Sequence, residues 1–239
     1  MRSYFYFNGA RSIDKGLTIE KCPAISTGQR VVTKVSVPGR SGDLVIDTGA
    51  YSNYTQPYEI WFKDKRRGTT RAARDIAQWL LSGTGYLQLE DTYDPEVFRL
   101  AMFTGPLDVE NWMLMAGRAT LEFDCQPQRW LKDGQNPISV ESGQRLFNAW
   151  QPALPLIRVT GTGNGSLTVG SSTFTISDMP GGIMLDSETQ DAYWGNPTTN
   201  LNNNVKVSGG YPVLQGGETA VSFSGDITAV QITPRWWSL

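Results

Sequence analysis

The chain has 239 residues, of which 39% are hydrophobic and 18% are charged, a balance typical of a folded protein rather than a disordered one. Its formal net charge of −2 provides no positive field for a phosphate backbone, so nucleic-acid binding is not predicted. The sequence contains no histidine, which excludes Ser-His-Asp and Cys-His catalysis and almost all zinc sites. We therefore predict neither a metal nor a cofactor.

The first half of the chain consists mainly of predicted β-strands. Each carries β-branched or aromatic side chains between glycine, proline or asparagine residues. The predicted strands cover residues 4–7, 30–37, 43–46, 58–63, 85–89, 97–104 and 117–125. We expect them to form an N-terminal β-sandwich over residues 1–137.

A single helix is predicted within this series, over about residues 70–82. Its apolar side chains recur at the spacing of one helical face, at Ala73, Ile76, Ala77 and Leu80. Thr69 or Thr70 is the predicted N-cap, and Gly83 followed by Gly85 ends the helix. The expected first domain is therefore a packed sheet covered by one helix.

The composition changes after residues 126–137, beyond which charged residues are rare and glycine, serine, threonine and asparagine are frequent. Short strands are predicted at residues 156–159, 166–169, 173–176, 183–185, 219–223 and 229–233. The glycine-rich residues 161–165 are predicted to form a hairpin turn, and the asparagine-rich residues 196–204 a mobile loop. Regular short strands with polar turns predict a second β-sandwich over residues 138–239.

Residues 47–50 form an Asp-Thr-Gly-Ala motif, typical of the catalytic loop of aspartic proteases. Such enzymes need two aspartates that share a proton, so a protease with this single motif would have to be a homodimer. We find no downstream apolar-apolar-glycine segment that would support the loop. Ordinary turn chemistry after a strand is the alternative, and this interpretation is favoured.

Two further groups of residues in the second half are candidates for chemistry or binding. Asp186, Glu188 and Asp191 are carboxylates of the kind that glycosidases and calcium sites use, but a polar loop between strands is the favoured interpretation. Tyr193 and Trp194 are candidate glycan contacts if the chain is a carbohydrate-binding module, which is the alternative function. Core and subunit contacts are the favoured role of the aromatic residues in this half.

No apolar run approaches the roughly 20 residues that span a bilayer, so membrane insertion is not predicted. Residues 1–9 alternate like a strand and lack the apolar core of a secretion signal, which predicts assembly in a cytoplasm. Cys22 and Cys125 are too few for a disulfide framework and are expected to be reduced thiols.

Several phrases of the sequence, taken in order, resemble the distal tail proteins of long-tailed (siphovirus-type) bacteriophages and prophages. In the first half they are residues 7–9 (FNG), 37–44 (VPGRSGDL), 78–80 (QWL), 85–96 (GYLQLEDTYDPE) and 121–131 (LEFDCQPQRWL). In the second half they are residues 155–163 (PLIRVTGTG), 185–193 (LDSETQDAY) and 232–237 (ITPRWW). Each of these segments alone is weakly specific, but together they cover nearly the whole chain in the order and at the spacing of the family.

The resemblance implies a structural protein of the virion rather than an enzyme. Family members form a homo-hexameric ring at the distal end of the tail, between the tail tube protein and the tail-associated tip protein. The N-terminal sandwich with its helix builds the ring wall, and the C-terminal domain is a galectin-like or carbohydrate-module-like β-sandwich. In many phages that outer domain holds receptor-binding or other baseplate proteins. A family member would be assembled in the cytoplasm of the host bacterium.

The turn at residues 39–43 is the predicted ring interface, with Gly39, Arg40, Ser41 and Asp43 as its contact residues. It lies between two apolar strands and combines two glycines with side chains of both charges. A short turn of this composition is suited to close contact with a neighbouring subunit, because glycine lets two backbones approach.

Overall fold

The computed structural model describes residues 3–63, 68–113 and 116–239. The chain divides into two compact units, one formed by Met1–Arg129 with Leu239 and the other by Trp130–Ser238. Both units consist mainly of β-strands, and the described residues contain a single α-helix, which confirms the predicted mainly-β fold class. The division into functional domains at residues 1–137 and 138–239 stays a prediction.

The first unit contains one curled sheet and a separate hairpin. Its described strands are β1 (Phe5–Phe7), β2 (Ala10–Arg11), β3 (Leu17–Ile19), β4 (Arg30–Val35), β5 (Leu44–Tyr51), β6 (Tyr54–Lys63), β7 (Leu87–Asp91), β8 (Val97–Met102), β9 (Glu110–Met113) and β10 (Ala116–Leu131). A 3-10 helix, Ser12–Lys15, lies between β2 and β3. The sheet has the order β2-β1-β7-β8-β10-β6-β3, with β9 also paired to β10. Within the described residues, β4 and β5 pair only with each other.

Alternation along the strands places the core of the first unit. On β6, Tyr58, Ile60 and Phe62 are buried while the residues between them are more exposed. The ring of Phe123 on β10 lies at the centre of an aromatic cluster. Its centroid is 5.5, 5.0, 5.8 and 5.4 Å from the ring centroids of Phe5, Phe7, Tyr58 and Phe103. Edge-on and tilted contacts of this kind add to the stabilisation that burial provides.

The helix α1 spans Thr69–Leu81, which confirms the predicted helix over about residues 70–82. Its N-cap is Gly68, with φ 79° and ψ 161°, so the prediction of a threonine cap is wrong. The left-handed φ at this position favours glycine, and Thr69 is instead a buried residue of the first turn. No helix in the described part of the chain is both long and apolar enough to cross a bilayer.

The buried face of α1 differs in detail from the predicted stripe. Ala72 and Trp79 are buried with Ile76 and Leu80, whereas Ala73 is only partly covered. The reason is the large indole of Trp79. It stacks on the ring of Phe5 at 6.0 Å between centroids and donates a hydrogen bond to the carbonyl oxygen of Asn8 at 3.3 Å. This aromatic side chain therefore sets the rotation of the helix more strongly than the small alanines do.

The second unit is built around three long strands. Its strands are β11 (Ile138–Val140), β12 (Arg145–Asn148), β13 (Leu156–Val169), β14 (Ser172–Asp186), β15 (Asp191–Trp194), β16 (Asn196–Asn200), β17 (Val205–Ser208), β18 (Gly217–Thr233) and β19 (Trp237–Ser238). The sheet has the order β11-β18-β13-β14-β15-β16, with β12 also on β18 and β17 on β14. The final long strand, β18, therefore belongs to this unit, and the core is mainly aliphatic.

Strand β13 runs continuously through residues 161–165, so the predicted hairpin turn is wrong. In the same way β14 and β18 each join two of the short predicted strands. The glycines serve close approach rather than chain reversal. A Cβ atom on Gly161 would collide with the carbonyl oxygen of Asp226, and one on Gly165 would lie 2.6 Å from the side chain of Ile227. Glycine there lets β18 pack against an irregular stretch of β13.

The asparagine-rich residues 196–204 form strand β16 and a short 3-10 helix, Asn202–Asn204, so the loop prediction is wrong. Asparagine side chains accept hydrogen bonds from nearby backbone N–H groups. The Asn200 Oδ1 accepts the Asn202 N–H at 2.8 Å, and the Asn202 Oδ1 accepts the Ala192 N–H of β15 at 2.5 Å. Such side chain to backbone bonds usually favour turns and caps, and here they hold the 3-10 helix beside β15.

Candidate assembly interface

The hairpin of β4 and β5 is an amphipathic ribbon. Every residue of the two strands is exposed except Tyr51, which is partly covered. Thr33 lies opposite Ile46, and Val35 lies opposite Leu44. Directly opposed residues of an antiparallel pair project to the same side, so these four side chains form one surface, which we call the ribbon face. The other side is mixed, since Lys34 lies opposite Val45 there.

The ribbon face is apolar, although it is open to solvent. Val35, Leu44 and Ile46 are 41%, 42% and 50% exposed. Branched aliphatic side chains on one side of a pleated ribbon normally pack against a core or a partner. None of the residues of β4 or β5 belongs to the buried core cluster of the first unit. Among the described residues, the ribbon face therefore remains an apolar surface that is open to solvent.

The turn that joins β4 to β5 contains the predicted interface residues Gly39, Arg40, Ser41 and Asp43, all of them exposed. The Arg40 N–H donates to the Val37 carbonyl oxygen at 3.2 Å, with Pro38 and Gly39 between them. Gly39 has φ 81°, as the third position of a type II turn requires. The structure thus brings the four residues together at the end of the ribbon, and their contact with a neighbouring subunit stays a prediction.

Asp47 clamps the hairpin across its two strands. Its Oδ1 accepts the Gly49 N–H at 2.8 Å, and its Oδ2 accepts the Arg30 Nη1 at 2.5 Å. The hydrogen bond from Gly49 and the charge of Arg30 lower the pKa of Asp47, so the carboxylate is ionised at neutral pH. Arg30 also donates to the Tyr51 hydroxyl at 3.1 Å. The Asp-Thr-Gly motif lies within strand β5, so the predicted turn after residues 43–46 is wrong. In this chain the aspartate forms an ion pair with Arg30.

Ile25 is another exposed apolar residue of the first unit, and buried polar side chains bind the backbone on either side of it. Ile25 is 86% exposed, while its two neighbours are fixed through their carbonyl oxygens. The Gln56 Nε2 donates to the Ala24 oxygen at 2.9 Å, and the Arg129 guanidinium donates to the Ser26 oxygen. Gln56 and Arg129 are both buried. Ile25 therefore lies on a backbone that two buried side chains hold in place.

Of the three candidate carboxylates, Asp186 lies in a buried ion pair. Its two oxygens accept both terminal nitrogens of Arg235, at 2.7 and 3.0 Å. The Glu188 carboxylate is 3.2 Å from the same guanidinium, whereas Asp191 accepts the side-chain amide of Asn202 at 3.0 Å. Among the described residues, no group of three or more acidic, histidine or cysteine side chains is placed to hold a metal. Asp186 and Arg235 thus form a bidentate ion pair with a structural role.

We predict that the Asp186–Arg235 pair makes the second unit sensitive to acid. Burial alone would raise the pKa of Asp186, but the hydrogen bonds and charge of Arg235, together with the backbone N–H groups of Glu188 and Thr189, outweigh burial and lower it. A lowered folded-state pKa adds stability above the unfolded value of about 3.9, and this stability disappears as the pH falls through the folded value. The variant Asp186→Asn should therefore be less stable than the wild type at pH 7.

In urea unfolding, the difference between wild type and Asp186→Asn should shrink as the pH falls below about 3.9, the unfolded pKa of aspartate. The exposed Asp14, which pairs with Arg11 at 2.9 Å, provides the matched control as Asp14→Asn. A stability difference that stays constant from pH 7 to pH 3 would contradict this role of Asp186.

The candidate glycan residues Tyr193 and Trp194 are both partly buried on β15. The ring of Trp194 packs so closely over Gly182 that a Cβ atom there would collide with it. The Arg158 guanidinium lies 5.6 Å from the centroid of the same ring. Trp194 is thus engaged with β13 and β14 of its own unit, and a glycan contact at Tyr193 and Trp194 stays a prediction.

No protein-family model matches the sequence, and no curated protein matches it either. Solved structures do. The crystal structure of the Dit (gp 19.1) protein of phage SPP1 matches 100% of this chain and 99% of that chain, with a TM-score of 0.73 and 11% sequence identity. The chain has the fold of a phage distal tail protein. The SPP1 protein is described as a paradigm of the hub adsorption apparatus in phages that infect Gram-positive bacteria.

The distal tail protein fold is also similar to a chain of the phage P2 baseplate in its activated conformation. The structure with Ca matches 100% of this chain and 98% of that chain, with a TM-score of 0.54 and 7% identity. The structure with Sr matches 97% of this chain and 96% of that chain, with a TM-score of 0.51 and 7% sequence identity. The resemblance in the sequence is therefore confirmed for the fold. The similar structures are a phage hub protein and a component of a phage baseplate.

Proposed function

We propose that this chain is a structural hub protein of a phage tail tip or baseplate. The observation that carries the proposal is the uncovered ribbon face, on a fold shared with phage hub and baseplate proteins. A hub subunit needs surfaces that remain unsatisfied until its neighbours are in place. The ribbon face and the exposed side chain of Ile25 have that property in the first unit.

The ribbon supports a ring rather than a two-fold dimer. A projecting hairpin that packs on a different surface of its neighbour makes a heterologous contact, and such contacts produce closed rings when the rotation between subunits closes. The exposed turn with Gly39, Arg40, Ser41 and Asp43 would extend the contact at the end of the ribbon. Six copies are the number that the family resemblance implies.

In this function the chain takes its place in the virion, at the distal end of the tail. The homo-hexamer joins the tail tube protein on one side to the tail-associated tip protein on the other. Residues 1–137 form the ring, and residues 138–239 carry the galectin-like sandwich that anchors receptor-binding or other baseplate proteins. The role is structural and requires no cofactor, and the particle is assembled in the cytoplasm of the host bacterium.

The oligomeric state of the purified chain tests this function. Light scattering coupled to size-exclusion chromatography should give the mass of six chains of 26.4 kDa each, and negative-stain electron microscopy should show rings. Addition of the tail tube protein should stabilise the ring against dilution, because a bound partner favours the assembled state. A strict monomer at every concentration, with and without the tail tube protein, would overturn the proposal.

A further inference from the structure

The ribbon of β4 and β5 joins the rest of the first unit through two short segments, which we call its legs. Residues 26–29 lead into β4, and residues 52–53 lead from β5 into β6. The two legs are bonded to each other. The Ser52 N–H donates to the Gln29 carbonyl oxygen at 2.8 Å, and the Gln29 N–H donates to the Ser52 Oγ at 3.3 Å. The ribbon therefore starts from a closed base.

The first leg packs directly on strand β10 at Gly28. A Cβ atom on this residue would lie 2.9 Å from the Cβ of the buried Pro127 and would collide with the carbonyl oxygen of Ser52. The φ of Gly28 lies outside the left-handed region, so the lack of space, and not the backbone conformation, requires glycine here. The Ser26 carbonyl oxygen of the same leg accepts the guanidinium of Arg129, also on β10.

The second leg is bound to the same strand through the side chain of Asn53. Its Nδ2 donates to the Asp124 Oδ2 of β10 at 3.0 Å and to the Tyr86 hydroxyl at 2.5 Å. The Tyr86 hydroxyl in turn donates to the same carboxylate oxygen at 3.0 Å. Both legs of the ribbon are thus attached to β10, one at Asp124 and the other at Pro127.

We propose that these contacts hold the ribbon in one direction and that Gly28 is its positioning residue. A hairpin that is bound at one leg can swing about that leg. A hairpin whose two legs are bound to one strand, and to each other, cannot swing unless a contact at its base is broken. The ribbon face is therefore presented at a fixed angle to the sheet before any neighbour is in place, which lowers the entropic cost of its contact.

The consequence for assembly rests on the proposed function. The rotation from one subunit of a ring to the next depends on the angle between the ribbon and the surface that receives the neighbour's ribbon. A heterologous contact closes a ring only when this rotation fits, and for six copies it is about 60°. A ribbon with another tilt would produce open chains or a different number of copies. The base of the ribbon therefore sets the number of subunits.

The variant Gly28→Ala should tilt the ribbon without unfolding the chain. Carbon atoms in contact are about 3.5–4.0 Å apart, so the new Cβ has to move about 1 Å away from Pro127. Paired strands lie about 5 Å apart, so a displacement of about 1 Å at one leg tilts the ribbon by about 12°. Strand β4 has six residues and a length of about 20 Å, so its far end moves by about 4 Å.

Distances between two spin labels, measured by pulsed electron paramagnetic resonance on the full chain, test the proposal. One label is attached at Ser41→Cys on the exposed turn of the ribbon, and the other at either Gln78→Cys or Glu122→Cys, with Cys22→Ser to remove the exposed native thiol. Excess unlabelled chain ensures that each distance lies within one molecule. Narrow distributions are expected for the chain with Gly28, and Gly28→Ala should shift at least one mean distance by about 4 Å.

Two further variants accompany this measurement. Gly216→Ala is the matched control, because its φ also lies outside the left-handed region and the nearest atom to the new Cβ is the Trp150 carbonyl oxygen at 3.8 Å. It should keep the distances of the chain with Gly28. Asn53→Ala removes the side chain that binds the second leg and should broaden the distributions. Circular dichroism of each variant establishes that the fold is retained.

The proposal is overturned if the distributions are as broad with Asn53 as with Asn53→Ala, or if Gly28→Ala leaves both mean distances unchanged. Light scattering of the unlabelled chains tests the consequence for assembly, since Gly28→Ala should lose the mass of six copies that Gly216→Ala retains. Rings of six from Gly28→Ala with a shifted ribbon would contradict the proposal. Because the distances lie within one molecule, they decide the direction of the ribbon even where light scattering finds only monomers, a result that overturns the proposed function alone.

Discussion

Replacement of Ile46 by aspartate is expected to abolish assembly of the chain into rings. Ile46 lies at the centre of the ribbon face, 50% exposed in the single chain and opposite Thr33. A carboxylate buried against an apolar partner without a counter-charge carries a large desolvation cost. Size-exclusion chromatography with light scattering should therefore find a monomer at concentrations where the wild type forms the proposed hexamer.

The neighbouring residue provides a matched control for this change. Val45 is 55% exposed on the same strand, but it projects to the opposite, mixed side of the ribbon, where it faces Lys34. Val45→Asp should retain the ring, and the new carboxylate gains a lysine partner. Both variants should keep the far-ultraviolet circular dichroism of the wild type. Hexamers from Ile46→Asp, or an equal loss of assembly in Val45→Asp, would contradict the role of the ribbon face.

The second large effect is expected inside the first unit, where Asp91→Asn should destabilise the fold by about 3–5 kcal/mol. The Asp91 carboxylate is buried and accepts the Tyr58 hydroxyl at 2.6 Å and the Arg99 Nη1 at 3.1 Å. It also accepts the N–H groups of Tyr93 and Asp94, each at 2.9 Å. An amide in its place leaves the buried guanidinium of Arg99 with only the half-exposed Asp94 carboxylate, 3.9 Å away, as counter-charge. This loss costs far more than the loss of an exposed pair.

Tyr58 contributes to the same network through its hydroxyl. Burial, reinforced by the charge of Asp91, raises the pKa of Tyr58 well above its ordinary value, so the hydroxyl remains a donor. Urea unfolding should show a midpoint for Asp91→Asn that is lower by about 1 M or more, since the slope for a domain of this size is about 1–3 kcal/mol per molar urea. The control Asp14→Asn removes an exposed pair and should leave the midpoint unchanged. A wild-type midpoint for Asp91→Asn would refute this account of the core.

Periodicity predicted α1 and the longer strands of the first unit, most of which bury one face within the chain, but it missed the short strands β2, β3 and β9. The helix over Thr69–Leu81 and the inward residues of β6 follow the spacing of their apolar residues. Capping was predicted less well. Gly68 took the position assigned to a threonine, because the backbone enters the helix with a left-handed φ. Such a conformation depends on where the preceding segment lies and is not encoded by the helix sequence alone.

The second unit shows why glycine is ambiguous in a single sequence. Residues 161–165 have the composition of a turn, and only the close approach of Asp226 and Ile227, more than 60 residues later, explains the glycines. The sequence likewise could not predict the exposed ring of Trp150 or the covered ring of Trp194. Both are tryptophans in strand-rich polar segments, and their exposure is decided by distant residues such as Gly182 and Leu214.

The ribbon face illustrates a different limit. The apolar residues of β4 and β5 predict strands, and the structure contains them. The sequence cannot reveal whether such a strand is covered by its own chain or by a neighbour, because the alternation is the same in both cases. The candidate residues at Gly39 to Asp43 were found from their turn composition. The apolar surface beside them is defined by the exposure of Val35, Leu44 and Ile46, which the sequence alone does not encode.

Location of the subunit in an intact phage particle tests the central claim most directly. A small tag at the exposed turn of the second unit at Gly209 and Gly210, labelled with gold and imaged by electron microscopy, would mark its position. The account predicts label at the distal end of the tail, at the junction of tube and tip, with six-fold symmetry in averaged images. Label on the head, along the tail shaft, or absent from purified particles would contradict it.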